Sequence, residues 1–208
     1  MKPRYLALSA LALLLAPAAP GSEPVRDLGQ GLAYYRVHEL PEDQPNRIAA
    51  HPGPCVLDLR YAKADEASAA TLRAWVMFNA TPRTPIFVIE NGATGASLRA
   101  ALTGNGPVGL ILLGPESAKV SPDITVSVSP ADDRRGYDAL EKGATLESLL
   151  TDYPDKPRID EAYLEKEHIS DSEAPEVPTD KAKANTPVDL LLQKAVQLHR
   201  GLLALKRL

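Results

Sequence analysis

Three runs of consecutive apolar side chains punctuate the middle of the chain: Cys55-Val56-Leu57-Asp58-Leu59, Ile86-Phe87-Val88-Ile89 and Gly109-Leu110-Ile111-Leu112-Leu113. Short unbroken apolar runs bounded by Pro, Gly or charge predict strands covered on both faces, the condition of a parallel sheet. Between the first two runs, Asp65-Glu66 supply the carboxylates favoured at a helix start. Ala69, Leu72, Val76 and Trp75 then recur on one face, so residues 65–78 predict an amphipathic helix. Pro82 and Pro85 end it. Asn91-Gly92 turns the chain after the second run, residues 97–102 predict a short helix, and residues 104–107 a loop before the third run. Strands alternating with helices predict β-α-β units and an α/β fold.

Outside this repeat the pattern changes. Residues 31–40 carry enough Tyr and Val for a strand of imperfect alternation. Ile124-Thr125-Val126-Ser127-Val128 alternates apolar and polar, which suits a strand near a sheet edge, and residues 134–141 and 145–150 read as helices. Residues 152–187 hold five prolines and few large apolar side chains, a composition that does not build a packed element. Val188, Leu191, Leu192, Ala195, Leu198, Leu202 and Leu205 then recur at three- and four-residue steps, predicting an amphipathic helix. Such a helix docks on its own core, pairs with a second copy, or lies on a membrane. Asp189 and Gln193 dilute its basic face, favouring docking or self-association.

The N-terminus has a pattern of its own. Lys2 and Arg4 precede an apolar run from Leu6 to Ala16, and Ala16-Pro17-Ala18 offers the small-x-small pattern of a signal-peptidase site. That run is well short of the roughly 20 residues that a membrane-spanning helix needs, so cleavage after Ala18 and no retained span are expected. The protein is then exported, to a periplasm or beyond.

Charge narrows the partners. The full chain carries 23 basic and 27 acidic side chains; losing Lys2 and Arg4 shifts the formal charge from -4 to -6. An acidic protein is a poor nucleic-acid binder. The acid concentrates in residues 151–180, which hold ten carboxylates against Lys156, Arg158 and Lys166. Cys55 is the only cysteine, which excludes an internal disulfide and a cysteine-based zinc cluster; its apolar neighbours predict a buried thiol. His38, His51, His168 and His199 lack a metal-ligand spacing, and no Gly-rich phosphate loop is present, so no metal or cofactor is expected. Asp58 and Arg60 suit either a buried ion pair that fixes a strand end or contacts to a substrate.

The order of Val56-Leu57-Asp58-Leu59-Arg60, Ile86 to Thr94, Gly109 to Gly114 and Ser121-Pro122-Asp123-Ile124 resembles the C-terminal processing, or tail-specific, serine peptidases. Residues 189–195 also resemble that family's final Asp-x-x-Leu-x-x-Ala helix. The resemblance implies a Clp/crotonase-like core of mostly parallel strands. It also implies a nucleophilic serine on the turn after the second strand, a catalytic lysine after the third, and backbone donors for an oxyanion.

This chain departs from the pattern at each of those points. Ala96 stands where the nucleophile is expected, with Ser97 one residue beyond. Tyr61-Ala62-Lys63-Ala64 replaces the glycine pair that follows the Leu-Asp-Leu-Arg strand, and Lys119, the lysine available after the third strand, lacks flanking glycines.

The expected organisation is a signal peptide over residues 1–18, a peptidase-like α/β domain over 19–150, an acidic linker over 151–187 and a helix over 188–208. The expected function is protein or peptide binding without catalysis. The alternatives are a minimal Ser-Lys peptidase using Ser97 and Lys119, and a structural envelope protein. For the leader, mass spectrometry of protein secreted by a signal-reading host should find Ala19 at the mature N-terminus; a retained Met1 would overturn the export assignment.

Overall fold

The computed structural model describes residues 25–43, 53–104, 106–116, 121–150 and 187–208. The expected signal peptide, the acidic segment up to residue 186, Lys119, His51 and His168 lie outside the described residues. In chain order the elements are β1 (Arg26–Asp27), β2 (Ala33–Arg36), β3 (Glu39–Leu40), β4 (Cys55–Asp58), β5 (Lys63–Ala64) and α1 (Glu66–Asn79). They continue with β6 (Ile86–Ile89), α2 (Ala96–Leu102), β7 (Leu110–Pro115), β8 (Ile124–Val126), α3 (Pro130–Glu141), α4 (Leu146–Leu149) and α5 (Leu190–Ala204). The fold is α/β with a mostly parallel sheet, as the apolar runs predict.

Six strands form one sheet in the order β1-β2-β4-β6-β7-β8, and only the β1–β2 pair is antiparallel. The parallel register is continuous: Val56 pairs with Phe87 and Tyr34, and Phe87 pairs with Ile111. Alternate residues of each strand supply two cores. Cys55, Leu57, Ile86, Val88 and Leu112 face α1 and α2, packing on Leu72, Val76, Leu98 and Leu102. Tyr34, Val56, Phe87, Ile89 and Leu113 face the opposite layer, on Leu140, Leu149, Leu191 and Leu192. Strands added one after another in a single direction, with connections of one hand, place their crossover helices on one face. The layer of α3, α4 and α5 therefore has to come from chain that follows the last strand. A separate pair, β3 with β5, lies outside the main sheet.

Helix boundaries follow local chemistry. Asp65 caps α1 by accepting from the Ser68 amide, as the acidic start predicts. α3 begins earlier than expected, at Pro130, because Ser129 accepts from the Asp132 amide and proline suits a first helical position. Gly109 permits the tightest backbone approach: a Cβ there would lie 2.2 Å from the Thr81 carbonyl oxygen.

The C-terminal helix docks on the core. Leu191, Leu192, Ala195, Val196 and His199 are buried, while Leu198 and Leu202 are half-buried. Leu205, expected on the apolar face, ends the helix instead and is 71% exposed. Among the described residues no helix is long and apolar enough to cross a membrane.

Burying a leucine contributes about 1.5–3 kcal/mol, so Leu191→Asp should lower unfolding free energy by at least that much. Leu205→Asp should change it by less than about 0.5 kcal/mol, as exposed substitutions do. Urea melts of both variants test the docking; equal effects would refute it.

Candidate functional site

At the carboxyl end of β4 the sequence Asp58-Leu59-Arg60 sends alternate side chains to opposite faces, so Asp58 and Arg60 both enter the layer beneath α3 and α5. Arg60 is 1% exposed and Asp58 is fully buried. The guanidinium fork meets three carboxylates. Its Nε donates to Asp58 Oδ1 at 3.0 Å and its Nη2 to Asp58 Oδ2 at 2.6 Å. Nη1 reaches Asp133 Oδ1 at 3.0 Å and Asp189 Oδ1 at 3.1 Å, and Nη2 also reaches Asp189 Oδ2 at 2.6 Å. Three aspartates thus share the planar fork of five donors.

Each carboxylate has a further partner. The Tyr34 hydroxyl donates to Asp58 Oδ2 at 2.8 Å, and Asn91 Nδ2 to Asp133 Oδ2 at 2.8 Å. Asp189 also caps α5, accepting from the Leu192 amide at 3.0 Å. A Cβ on Gly136 of α3 would sit 3.1 Å from Asp189 Cα, so that glycine lets the start of α5 come close enough for Asp189 to reach Arg60. A second arginine, Arg36, stacks on Tyr137 with its guanidinium carbon 3.6 Å from the ring centroid.

Burial by itself would raise the Asp58 carboxyl pKa; the Arg60 charge and hydrogen bonds, the Tyr34 hydroxyl and Arg36 outweigh it, and the net direction is downward. A depressed carboxylate contributes stability that is complete above its ordinary pKa and lost as pH falls through the folded value. Burial opposes the Arg60 charge, yet Asp189 and Asp58 hold its pKa above the ordinary value.

Directly above this cluster a cavity of about 320 Å³ opens at the carboxyl ends of the parallel strands. Tyr61, Asn91, Ala93, Pro115, Val128 and Asp133 line it. Its lining is mainly apolar, with the Asn91 amide and the Glu116 and Asp133 carboxylates as its polar groups. This is where open parallel sheets generally bind ligands. Tyr61 adopts φ 63°, the left-handed region a bulky residue seldom occupies. Its ring packs against Tyr137 at 4.8 Å and its hydroxyl lies 3.4 Å from Asp133 Oδ2. The turn under the cavity is tied to the sheet. Asn91 Oδ1 accepts from the Ala93 and Thr94 amides, and Thr94 Oγ1 donates to the Leu59 carbonyl.

Ala96 is the first residue of α2, and Ser97 follows it. The Ser97 hydroxyl donates to the Ala64 carbonyl of β5 at 2.6 Å and does not line the cavity. Lys119 lies outside the described residues, so the proposed pair has no geometry here. Asp58 and Arg60 form the ion pair that was one of their two readings. Asp133, Asp189, Asn91 and Tyr34 are the residues that sequence reasoning missed. Their one available signal was polarity beside otherwise apolar elements, and for Asp133 and Asp189 it reads equally well as helix-start chemistry. Cys55 is buried, and burial pushes its thiol pKa up to about 12, which leaves it unreactive at neutral pH. Among the described residues no three His, Cys, Asp or Glu side chains converge as metal ligands.

One further carboxylate stands out. Glu90, at the end of β6, is 1% exposed with neither oxygen hydrogen-bonded. Burial raises its pKa, with Arg99 opposing and Asp123 adding to the shift. No family model matches this chain, and no curated protein matches it.

Removing one partner of a buried ion pair typically costs about 3–5 kcal/mol. Arg60→Met, which leaves three buried carboxylates uncompensated, should lose that much stability in urea melts at pH 7. The loss should shrink toward pH 4 as the orphaned carboxylates take up protons. A loss below about 1 kcal/mol would show that the cluster is not a structural clamp.

Proposed function

We propose that this chain is an exported, non-catalytic relative of the processing-peptidase core and that it binds an extended protein segment at the carboxyl ends of its parallel strands. The observation that carries this reading is the cavity above the Arg60 cluster: Tyr61, Ala93, Pro115 and Val128 give it apolar lining, and Asn91, Glu116 and Asp133 give it a few polar groups. Apolar walls with a few fixed polar groups suit side-chain capture by shape and hydrogen bonding.

Two features support the family side of the reading. The strands follow one another in order across a mostly parallel sheet. Tyr61, in the Tyr61-Ala62-Lys63-Ala64 segment that replaces the family's glycine pair, has the left-handed backbone that glycine adopts at no cost. Two features speak against catalysis. Position 96 offers no nucleophile, and the Ser97 hydroxyl is bonded to a backbone carbonyl of β5 rather than directed into the cavity. A serine peptidase needs its hydroxyl free to attack and paired with a base.

The test uses residues 19–208, a peptide library displayed as extended segments, and a fluorophosphonate probe. Ala93→Trp fills the cavity from its wall, and we expect it to abolish peptide capture while shifting the melting temperature by less than about 3 °C. The probe should label neither the wild type nor Ser97→Ala. Capture unaffected by Ala93→Trp would remove the cavity from the proposal. Stoichiometric labelling that disappears in Ser97→Ala would replace it with the Ser97–Lys119 peptidase.

A further inference from the structure

α5 runs back across the sheet. It starts at the carboxyl ends of the strands, where Asp189 meets Arg60, and reaches a groove where Arg200 lies with Asp27, Leu28 and Glu147. His199 sits on its buried face and is 1% exposed. The imidazole stands edge-on to Phe87 in the middle of β6, with centroids 6.4 Å apart and planes at 88°. Its Nε2 is buried without a hydrogen-bond partner. A neutral imidazole tolerates such a site because it keeps one bare nitrogen. An imidazolium must donate from both nitrogens, and here one of them has nothing to donate to.

We propose that His199 makes the C-terminal helix an acid-weakened strap, in which protonation of the imidazole raises the frequency with which α5 opens from the sheet while the opposite layer of α1 and α2 stays packed.

Burial and the adjacent Arg200 charge both disfavour an imidazolium at His199. On its own helix the neighbouring charge is Arg200, of like sign to an imidazolium. Asp27 of β1 and Glu147 of α4 share the groove with Arg200. From the sheet it meets Phe87, and the nearest titratable group in that row, Tyr34, commits its hydroxyl to Asp58. The residues that β7, β8 and α3 contribute to the same core, Leu113, Ile124, Ala139 and Leu140, are apolar. Burial first and then Arg200 lower the His199 pKa from the ordinary 6.5. With the docked value below the free value, docking is at full strength above the free pKa and weakens as pH falls below it. In the Arg60 clamp at the other end of α5, Asp58 is held below its ordinary value by the guanidinium and so keeps its charge in mild acid. Mild acid therefore acts on the His199 end first.

Hydrogen–deuterium exchange on residues 19–208 at pH 8 and pH 5.5, corrected for intrinsic exchange, reads the strap directly. A free imidazole near pH 6.5 gains about one proton over that range, so the opening constant of amides 190–204 should rise by up to about tenfold. Amides of β4 and β6 should not change. His199→Leu and His199→Gln carry no titrating proton, and both should show a pH-independent opening constant whatever its absolute size. A pH-driven rise surviving in either variant, or missing from the wild type, would overturn the proposal. So would an NMR titration of the wild type that places the docked His199 pKa at or above 6.5, a readout that does not depend on how the variants fold.

Discussion

Arg60 loses almost all its hydration when the chain folds, and an arginine cannot shed its charge as a buried lysine can. Carboxylates must therefore reach it. Asp58 is two residues away on the same strand, but Asp133 and Asp189 lie 73 and 129 residues further along the chain. Each arrives on the first turn or cap of a helix, so satisfying one guanidinium fixes how α3 and α5 start over the sheet. Buried ion pairs are weak evidence of net stability, since desolvation offsets much of their attraction. Their effect here is positional: any packing of α5 that moved Asp189 would strip a hydrogen bond from each Nη of the buried Arg60 fork. The leucine face of α5 supplies the burial, and the fork selects among the ways in which that face could dock.

The elements that the apolar pattern identifies are those whose stabilisation is local or uniform along the strand. Ile86 to Ile89 must be covered on both faces, which a parallel strand under two layers achieves and an exposed edge does not. The Asp65 cap and the Ala69-Leu72-Val76 stripe identify α1 for the same reason. β1, β5 and the break that divides the expected strand over 31–40 into β2 and β3 were not legible. A two-residue strand carries no periodicity, and its pairing is decided by where the longer strands leave an edge. The site was legible only at Asp58 and Arg60. In sequence Asp133 is one of two adjacent acids at a helix start, where a dipole reading is adequate. Nothing local distinguishes it from Asp132, which stays at the surface, whereas Asp133 turns inward to Arg60 and Asn91.

The same geometry separates Ser97 from the cavity. Adjacent residues at the start of a helix point about 100° apart. With Asn91 and Thr94 fastening the turn to the end of β4, the helix start cannot rotate freely to carry Ser97 toward the cavity. Gly95 adds to the constraint, since its amide donates to Ala62 at 2.8 Å and holds α2 against the β5 segment. The hydroxyl accordingly meets the Ala64 carbonyl.

Tyr61 ties the clamp to the cavity wall. A left-handed backbone at a bulky residue costs on the order of 1–3 kcal/mol and persists only where its surroundings over-determine it. Those surroundings are the hydroxyl contact with Asp133, the ring contact with Tyr137 and the Arg134 guanidinium 4.4 Å from the ring. All three partners are on α3. Arg60 draws α3 inward through Asp133, and α3 in turn pins the strained residue that forms one wall of the cavity. A change that loosens the buried fork therefore reaches the cavity without touching any residue exposed in it, because the wall's conformation is held by the helix that the fork positions.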